Sequence, residues 1–249
     1  MASESSPPFK QQRPIRGQRA FELICDTIRQ RLSDGLLKPG DKLPAERELS
    51  RQLHVSRATI REAIRSLEIA GIVYQTKGVK GGAFIREGSP DQIAKTLQDY
   101  MSLGSISLEE LTEARIFIQD IVVQLAVERA TEEQFATLRR IVEKTRAVTS
   151  VQERYSCAAD FYRTLALSTG NRVLGMFVES VTQILGRFVR TPGYPTLQEE
   201  LLDSRERFLK LLEQRDAEGA KAEMRTHLNK IHAHVHKFAG SKAGKEDAS

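Results

Sequence analysis

The sequence predicts a mainly α-helical chain in two parts. The first is a small unit of three helices closed by a β-hairpin; the second is an antiparallel bundle of six or seven helices. Three observations carry this reading. Between Gly40 and Arg86, two short helical patterns are followed by two apolar runs that flank a turn rich in glycine and lysine. From Asp91 onward, apolar residues recur at helical spacing and no strand pattern appears. Positive charge gathers at one end: residues 1–86 hold 16 Lys+Arg against 9 Asp+Glu, a net of +7, while the remainder is −2.

Residues 1–17 lack the apolar stretch of a secretory signal and read as a disordered arm. Over 18–35, Phe21, Ile24, Ile28 and Leu32 share one helical face, and Gly35 stops the helix. Leu43, Pro44, Ala45 and Glu46 open a second helix, with Pro44 near the start, where a missing N–H costs little. Leu49 and Leu53 lie four apart on it. His54 and Val55 turn the chain, and Ser56 stands where an N-cap belongs. Ile60, Ile64 and Leu67 then form a buried stripe, with Arg57, Thr59, Arg61 and Arg65 largely off it. Gly71 ends that helix as a left-handed residue. Ile72 and Val73 pair with Ala83, Phe84 and Ile85 across a tip that contains Lys77, Gly78, Lys80, Gly81 and Gly82.

This order is a helix-turn-helix followed by a wing, and it suits DNA. A second helix with Ser, Arg and Thr in its first turns can set them on base edges and phosphates of a major groove. Lysines on a glycine-rich tip supply phosphate contacts. The plainer reading is a helical hairpin with a solvated basic face. The order of elements, the basic tip and the charge asymmetry favour nucleic acid.

Residues 87–90 contain Gly88 and Pro90 and read as a short linker. The bundle then occupies 91–238. Its first helix carries Ile93, Leu97, Tyr100 and Met101. A long helix over 107–129 has the stripe Leu111, Ile118, Ile121, Val122, Leu125 and Ala126, and opens on a capping box from Ser107 to Glu110. Helices over 132–149, 153–169, 172–190, 196–214 and 217–238 complete the set, with Thr131, Asn171 and Asp216 as caps. Pro192, Gly193, Tyr194 and Pro195 make a loop, and 239–249 read as a disordered tail. His232, His234 and His236 fall near the expected helix end, where solvated imidazoles are favoured.

No apolar run approaches the roughly 20 residues of a membrane span. Cys25 and Cys157 offer no disulfide framework and fit a reducing cytoplasm. There is no nucleophile elbow, phosphate loop or HExxH motif, so an enzyme is not expected. The alternatives are an enzyme acting on a small acid in the bundle, or a DNA-binding protein without an effector.

The runs LPAERELS and VSRATIREAIRSLEIAGIV, with the glycine-rich wing, resemble the DNA-binding domain of the GntR family of bacterial transcription regulators over residues 16–86. The resemblance implies that Arg47, Ser56, Arg57, Thr59 and Arg61 touch the operator and that Lys77 and Gly78 form the tip that enters the minor groove. LTEAR at 111–115, FYRTLALSTGN at 161–171 and RDAEGAKAEMRTHL at 215–228 resemble the FadR-like branch, whose FCD-type bundle senses small organic acids and dimerises. It implies a homodimer on a double-stranded, pseudo-palindromic operator, in the cytoplasm at the nucleoid, with repression the commoner outcome.

Many such bundles hold a divalent metal through one Asp and three His. The resemblance places Ala158 at the Asp position, Tyr162 and Arg205 at two His positions, and His227 at the third. Alanine and guanidinium cannot ligate a metal, so no metal or other cofactor is expected. It also places Arg115 where family members meet effector carboxylates. The expected effector is therefore a small organic acid, aromatic acids included, held by Arg115 and Arg205 with help from Tyr162 and His227. The plainer alternative pairs Arg205 with a carboxylate such as Glu113.

Overall fold

The computed structural model describes residues 16–78, 80–189 and 198–246. Most of the expected arm, the 192–195 loop and the last three residues lie outside the described residues. The chain divides into two compact units, at Ser89 and Pro90.

The first unit contains α1 (Arg16–Ser33), α2 (Glu46–Gln52), α3 (Arg57–Ile69), β1 (Val73–Thr76) and β2 (Gly82–Ile85). Ile24 and Ile28 of α1 meet Ile60, Ile64 and Leu67 of α3, with Leu43, Leu49, Val73 and Ile85 filling the rest of the core. The strands are antiparallel, with Val73 opposite Ile85 and Thr76 opposite Gly82. The segment before α2 joins the hairpin: Leu43 N–H donates to Ala83 O at 2.8 Å, and Ile85 N–H to Asp41 O at 2.8 Å. The wing is thus tied to the helices by backbone hydrogen bonds as well as by Val73 and Ile85. Gly71 has φ +73°, as a left-handed terminator should.

The second unit contains seven helices: α4 (Pro90–Ser102), α5 (Leu108–Arg129), α6 (Glu132–Ala147), α7 (Val151–Leu167), α8 (Arg172–Val189), α9 (Gln198–Glu213) and α10 (Ala217–Glu246). Their starts are written in the sequence. Ser107 and Thr131 make full capping boxes with Glu110 and Gln134, and Ser150 caps α7. Asn171 Oδ1 accepts from Val173 N–H at 2.9 Å, and Asp216 Oδ1 from Gly219 N–H at 2.9 Å. The main core runs through Val122, Val123, Phe135, Leu138, Phe161, Leu165, Phe208, Leu212, Met224 and Leu228.

Two expectations are corrected here. The α5 stripe is met in part: Leu111, Val122 and Ala126 are buried, but Ile121 is 53% exposed, while Arg115 and Gln119 face inward at 4% and 1%. This helix packs against α7, α8, α9 and α10, so its apolar residues are not confined to one face. And α10 does not end at Phe238 but continues to Glu246. The added stretch, 239–246, holds two Ala, two Lys and one Glu, which are good helix formers, beside two Gly and one Ser.

Candidate nucleic-acid interface and ligand site

In the first unit, α3 offers one face to solvent and buries the other. Ser56 caps it: its Oγ accepts from Thr59 N–H at 3.1 Å and lies 2.8 Å from Thr59 Oγ1. Arg57, Arg61 and Arg65 are exposed, and so is Arg47 on α2. Arg61 lies 4.0 Å from Glu46 of α2, an exposed pair worth little. Arg47, Arg57 and Arg65 form no ion pair among the described residues. The helix therefore presents a row of available guanidinium groups over a rigid start.

The wing tip is shaped by glycine. Gly78 has φ +107°. A Cβ at Gly81 would stand 2.4 Å from Thr76 O, so only hydrogen fits there. Lys77 and Lys80 are exposed, and Lys42 Nζ donates to Lys80 O at 3.0 Å, bracing the tip from below. The structure groups Arg47, Arg57 and Arg61 with the cap pair Ser56 and Thr59 on the two helices, and puts Lys77 and Gly78 together on the hairpin.

In the second unit, the four residues expected to meet an effector come together. The Arg115 guanidinium lies 4.7 Å from the Tyr162 ring centroid. The Arg205 guanidinium lies 5.9 Å from the same ring and 5.6 Å from that of Phe161. His227 Nε2 is 2.9 Å from Tyr162 Oη. All four are buried, Arg115 at 4% and Arg205 at 6% exposure. Burial, and then the neighbouring Arg205 charge among smaller causes, push the Arg115 pKa down.

Among the described residues, no carboxylate pairs with either guanidinium. Glu113 is exposed and makes no ion pair with Arg205. The Nε atoms of both arginines are buried without a hydrogen-bond partner. Two unpaired cations in a protein interior cost several kcal/mol each. Nor does the donor set fit a metal: Ala158 has no ligating atom, Arg205 is cationic, and Tyr162 Oη is engaged with the one imidazole, His227. No group of three His, Cys, Asp or Glu that could hold an ion occurs among the described residues.

Sequence reasoning missed two members of this centre. Gln119 lies one turn along α5 from Arg115, and both of its amide atoms are buried and unpartnered. A polar residue four places from a buried arginine was the available signal. His232 is 5% exposed rather than solvated, because α10 runs past it and packs along α5. His236 is held too, its Nε2 3.1 Å from Thr112 Oγ1 and its Nδ1 3.2 Å from Glu109.

Burial first, and then the Arg115 charge, hold the His232 pKa at about 3. His227 is pushed well below the usual imidazole value by burial, then by Arg205 and Arg115. Both bind protons more readily when unfolded, so their stabilisation is complete above pH ~6.5 and is lost as pH falls toward the folded values. Between pH 6.5 and 5, His232 alone removes about 2 kcal/mol. The melting temperature is expected to fall steeply across that window, and His232→Leu to flatten the fall. An unchanged profile in the variant would show that His232 titrates normally.

The profile described as "Bacterial regulatory proteins, gntR family" matches residues 22–84, and that described as "FCD domain" matches residues 110–230. The chain belongs to the GntR family. This GntR-family chain is 32% identical to the Uxu operon regulator of Haemophilus influenzae over 66% of its own length, and spans only 60% of that relative. It is 28% identical to the Exu regulon transcriptional regulator of Escherichia coli, covering 85% of this chain and 82% of the relative. The solved Streptococcus agalactiae GntR structure covers 86% of this chain and 99% of its own, at TM-score 0.62 and 23% identity, a likeness of fold.

Proposed function

We propose that this chain is a homodimeric transcription regulator that grips a pseudo-palindromic DNA operator and is released by a small organic acid, without a metal. The observation that carries the effector half is the pair of buried guanidiniums with no carboxylate beside them. A carboxylate ligand supplies the missing charge, and arginine forks take it bidentately. A repressor that lets go on binding follows from coupling between the two sites. The family membership and the exposed arginines of α3 support the DNA half. No helix among the described residues is long and apolar enough to cross a membrane, in keeping with a regulator working at the nucleoid in the cytoplasm.

The test is a DNA-shift assay on the regulator's own upstream region, titrated with a panel of organic acids, aromatic ones included. One acid should release the DNA, and its amide or methyl ester should bind far more weakly, because the guanidiniums are then left partly unpaired. Release by no acid would remove the effector reading. In parallel, elemental analysis should find no stoichiometric metal, and a chelator should leave the melting temperature unchanged, since a lost ligand of the native state lowers it. About one zinc or nickel per chain would overturn the metal-free reading.

The dimer reading draws support from apolar pairs left in solvent. Phe117 and Ile121 on α5 are 62% and 53% exposed, and Val173 and Phe177 on α8 are 59% and 40%. Each pair is four residues apart on one helical face, and α5 packs against α8. Phe117→Glu combined with Phe177→Glu is expected to yield monomers in light scattering without lowering helix content. A dimer of unchanged affinity would place the interface elsewhere.

A further inference from the structure

We infer that the buried centre is built for a compact hydroxylated dicarboxylate: Arg115 and Arg205 each take one carboxylate, and Gln119 reads the hydroxyl. This rests on the reading above that an organic acid binds here, and it goes further by fixing the acid's charge and its neutral group.

The charge follows from the two guanidiniums. Both are buried, neither has a carboxylate among the described residues, and both leave Nε without a partner. A monoacid neutralises only one of them. Both flank the Tyr162 ring, at 4.7 and 5.9 Å, so they are no farther apart than the sum of those distances, roughly 11 Å, where like charges in a poorly screened interior repel. Two negative charges on one short ligand relieve that repulsion.

The hydroxyl follows from Gln119. It is 1% exposed, and neither Nε2 nor Oε1 has a partner. Nearly all buried polar atoms in proteins are hydrogen-bonded, so an amide with both edges unmet marks a missing group. A group that both donates and accepts matches it, and a hydroxyl is the smallest. Gln119 lies one turn of α5, about 6 Å, beyond Arg115. His227 Nδ1 and His232 Nε2 are buried and unpartnered as well. Five buried residues on α5, α9 and α10 leave polar atoms unmet, the two arginines with Gln119, His227 and His232, and such a set describes a polar ligand better than an aromatic one.

Four acids of equal chain length separate these features: butyrate, 3-hydroxybutyrate, succinate and malate. Their binding to the full-length protein is to be measured by calorimetry and thermal shift in a buffer free of phosphate. Malate should bind tightest, succinate about tenfold weaker and both monoacids roughly a hundredfold weaker. Gln119→Leu should bring malate to the affinity of succinate and leave succinate unchanged. The wild-type series decides the matter even where that variant fails to fold. Equal binding of 3-hydroxybutyrate and malate would overturn the dianion, and equal binding of succinate and malate would overturn the role of Gln119. Inorganic phosphate binding tighter than any diacid would overturn the carboxylate chemistry. If a different organic acid, such as a benzoate, releases the DNA while malate and succinate do not bind, this inference fails and the proposed function stands. If no acid of any kind binds, both fail.

Discussion

Arg57→Ala and Arg61→Ala together are expected to abolish specific operator binding and leave the helical domain and its assembly untouched. Both side chains are exposed on the first turns of α3, while the opposite face carries the buried Ile60, Ile64 and Leu67. Arg57 has no ion pair to break among the described residues, and the exposed contact of Arg61 with Glu46 at 4.0 Å costs little to give up. An arginine that reads a guanine bidentately is worth about 1–3 kcal/mol. One that meets a phosphate contributes to the salt dependence, with a slope of roughly 0.9 per neutralised charge. Two losses at neighbouring sites reach roughly 2–6 kcal/mol where they add, enough to sink a specific complex into the non-specific background. Fluorescence anisotropy at several salt concentrations separates the two roles. Wild-type affinity in the double variant would take α3 out of the interface. Ser56→Ala is a different case, because its hydroxyl caps α3, and its loss costs about 1 kcal/mol of stability besides any contact with DNA.

The second large effect belongs to Arg205. Arg205→Ala is expected to bind operator normally and to ignore the effector, because Arg57 and Arg61, the arginines proposed to meet the operator, lie in the other compact unit. The volume-preserving Arg205→Met should in addition raise the melting temperature of the free protein. It removes one of two buried charges that no carboxylate meets among the described residues, and replacing buried charge by apolar groups stabilises by about 1–4 kcal/mol in favourable cases. A ligand-binding residue whose removal stabilises the empty protein differs in sign from a structural one. A normal release curve for Arg205→Ala, or a marked loss of stability in Arg205→Met, would make Arg205 structural.

The elements of this fold were legible because short-range chemistry specifies them. Ser56, Ser107, Thr131, Asn171 and Asp216 all cap where their side chains suggest, and Gly71 stops α3 through its left-handed backbone. Arg115, Tyr162, Arg205 and His227 were legible by resemblance, and they meet around one ring. Gln119 and His232 were not. A helix packed on several sides carries no single stripe, so periodicity finds Leu111, Val122 and Ala126 but puts Ile121 inside, where the structure exposes it. The pattern ends α10 at 238 and so puts His232 near a solvated end, whereas the helix runs on to Glu246 and buries it. Helix propensity in its last stretch is a weak signal beside the glycines that break it.

The capped starts have a mechanical consequence. α5, α6, α7, α8 and α10 each begin on a side-chain oxygen that satisfies their first N–H groups. Helices anchored in this way do not lengthen or fray cheaply at those ends, so a neighbour that pushes on one moves it as a rod. A sensor strung across α5, α7, α9 and α10 then transmits force by tilt and sliding, the shear mode of packed helices, and not by local melting. Amide exchange at the first turns of these helices should stay slow whether the centre is filled or empty, while interhelical distances change.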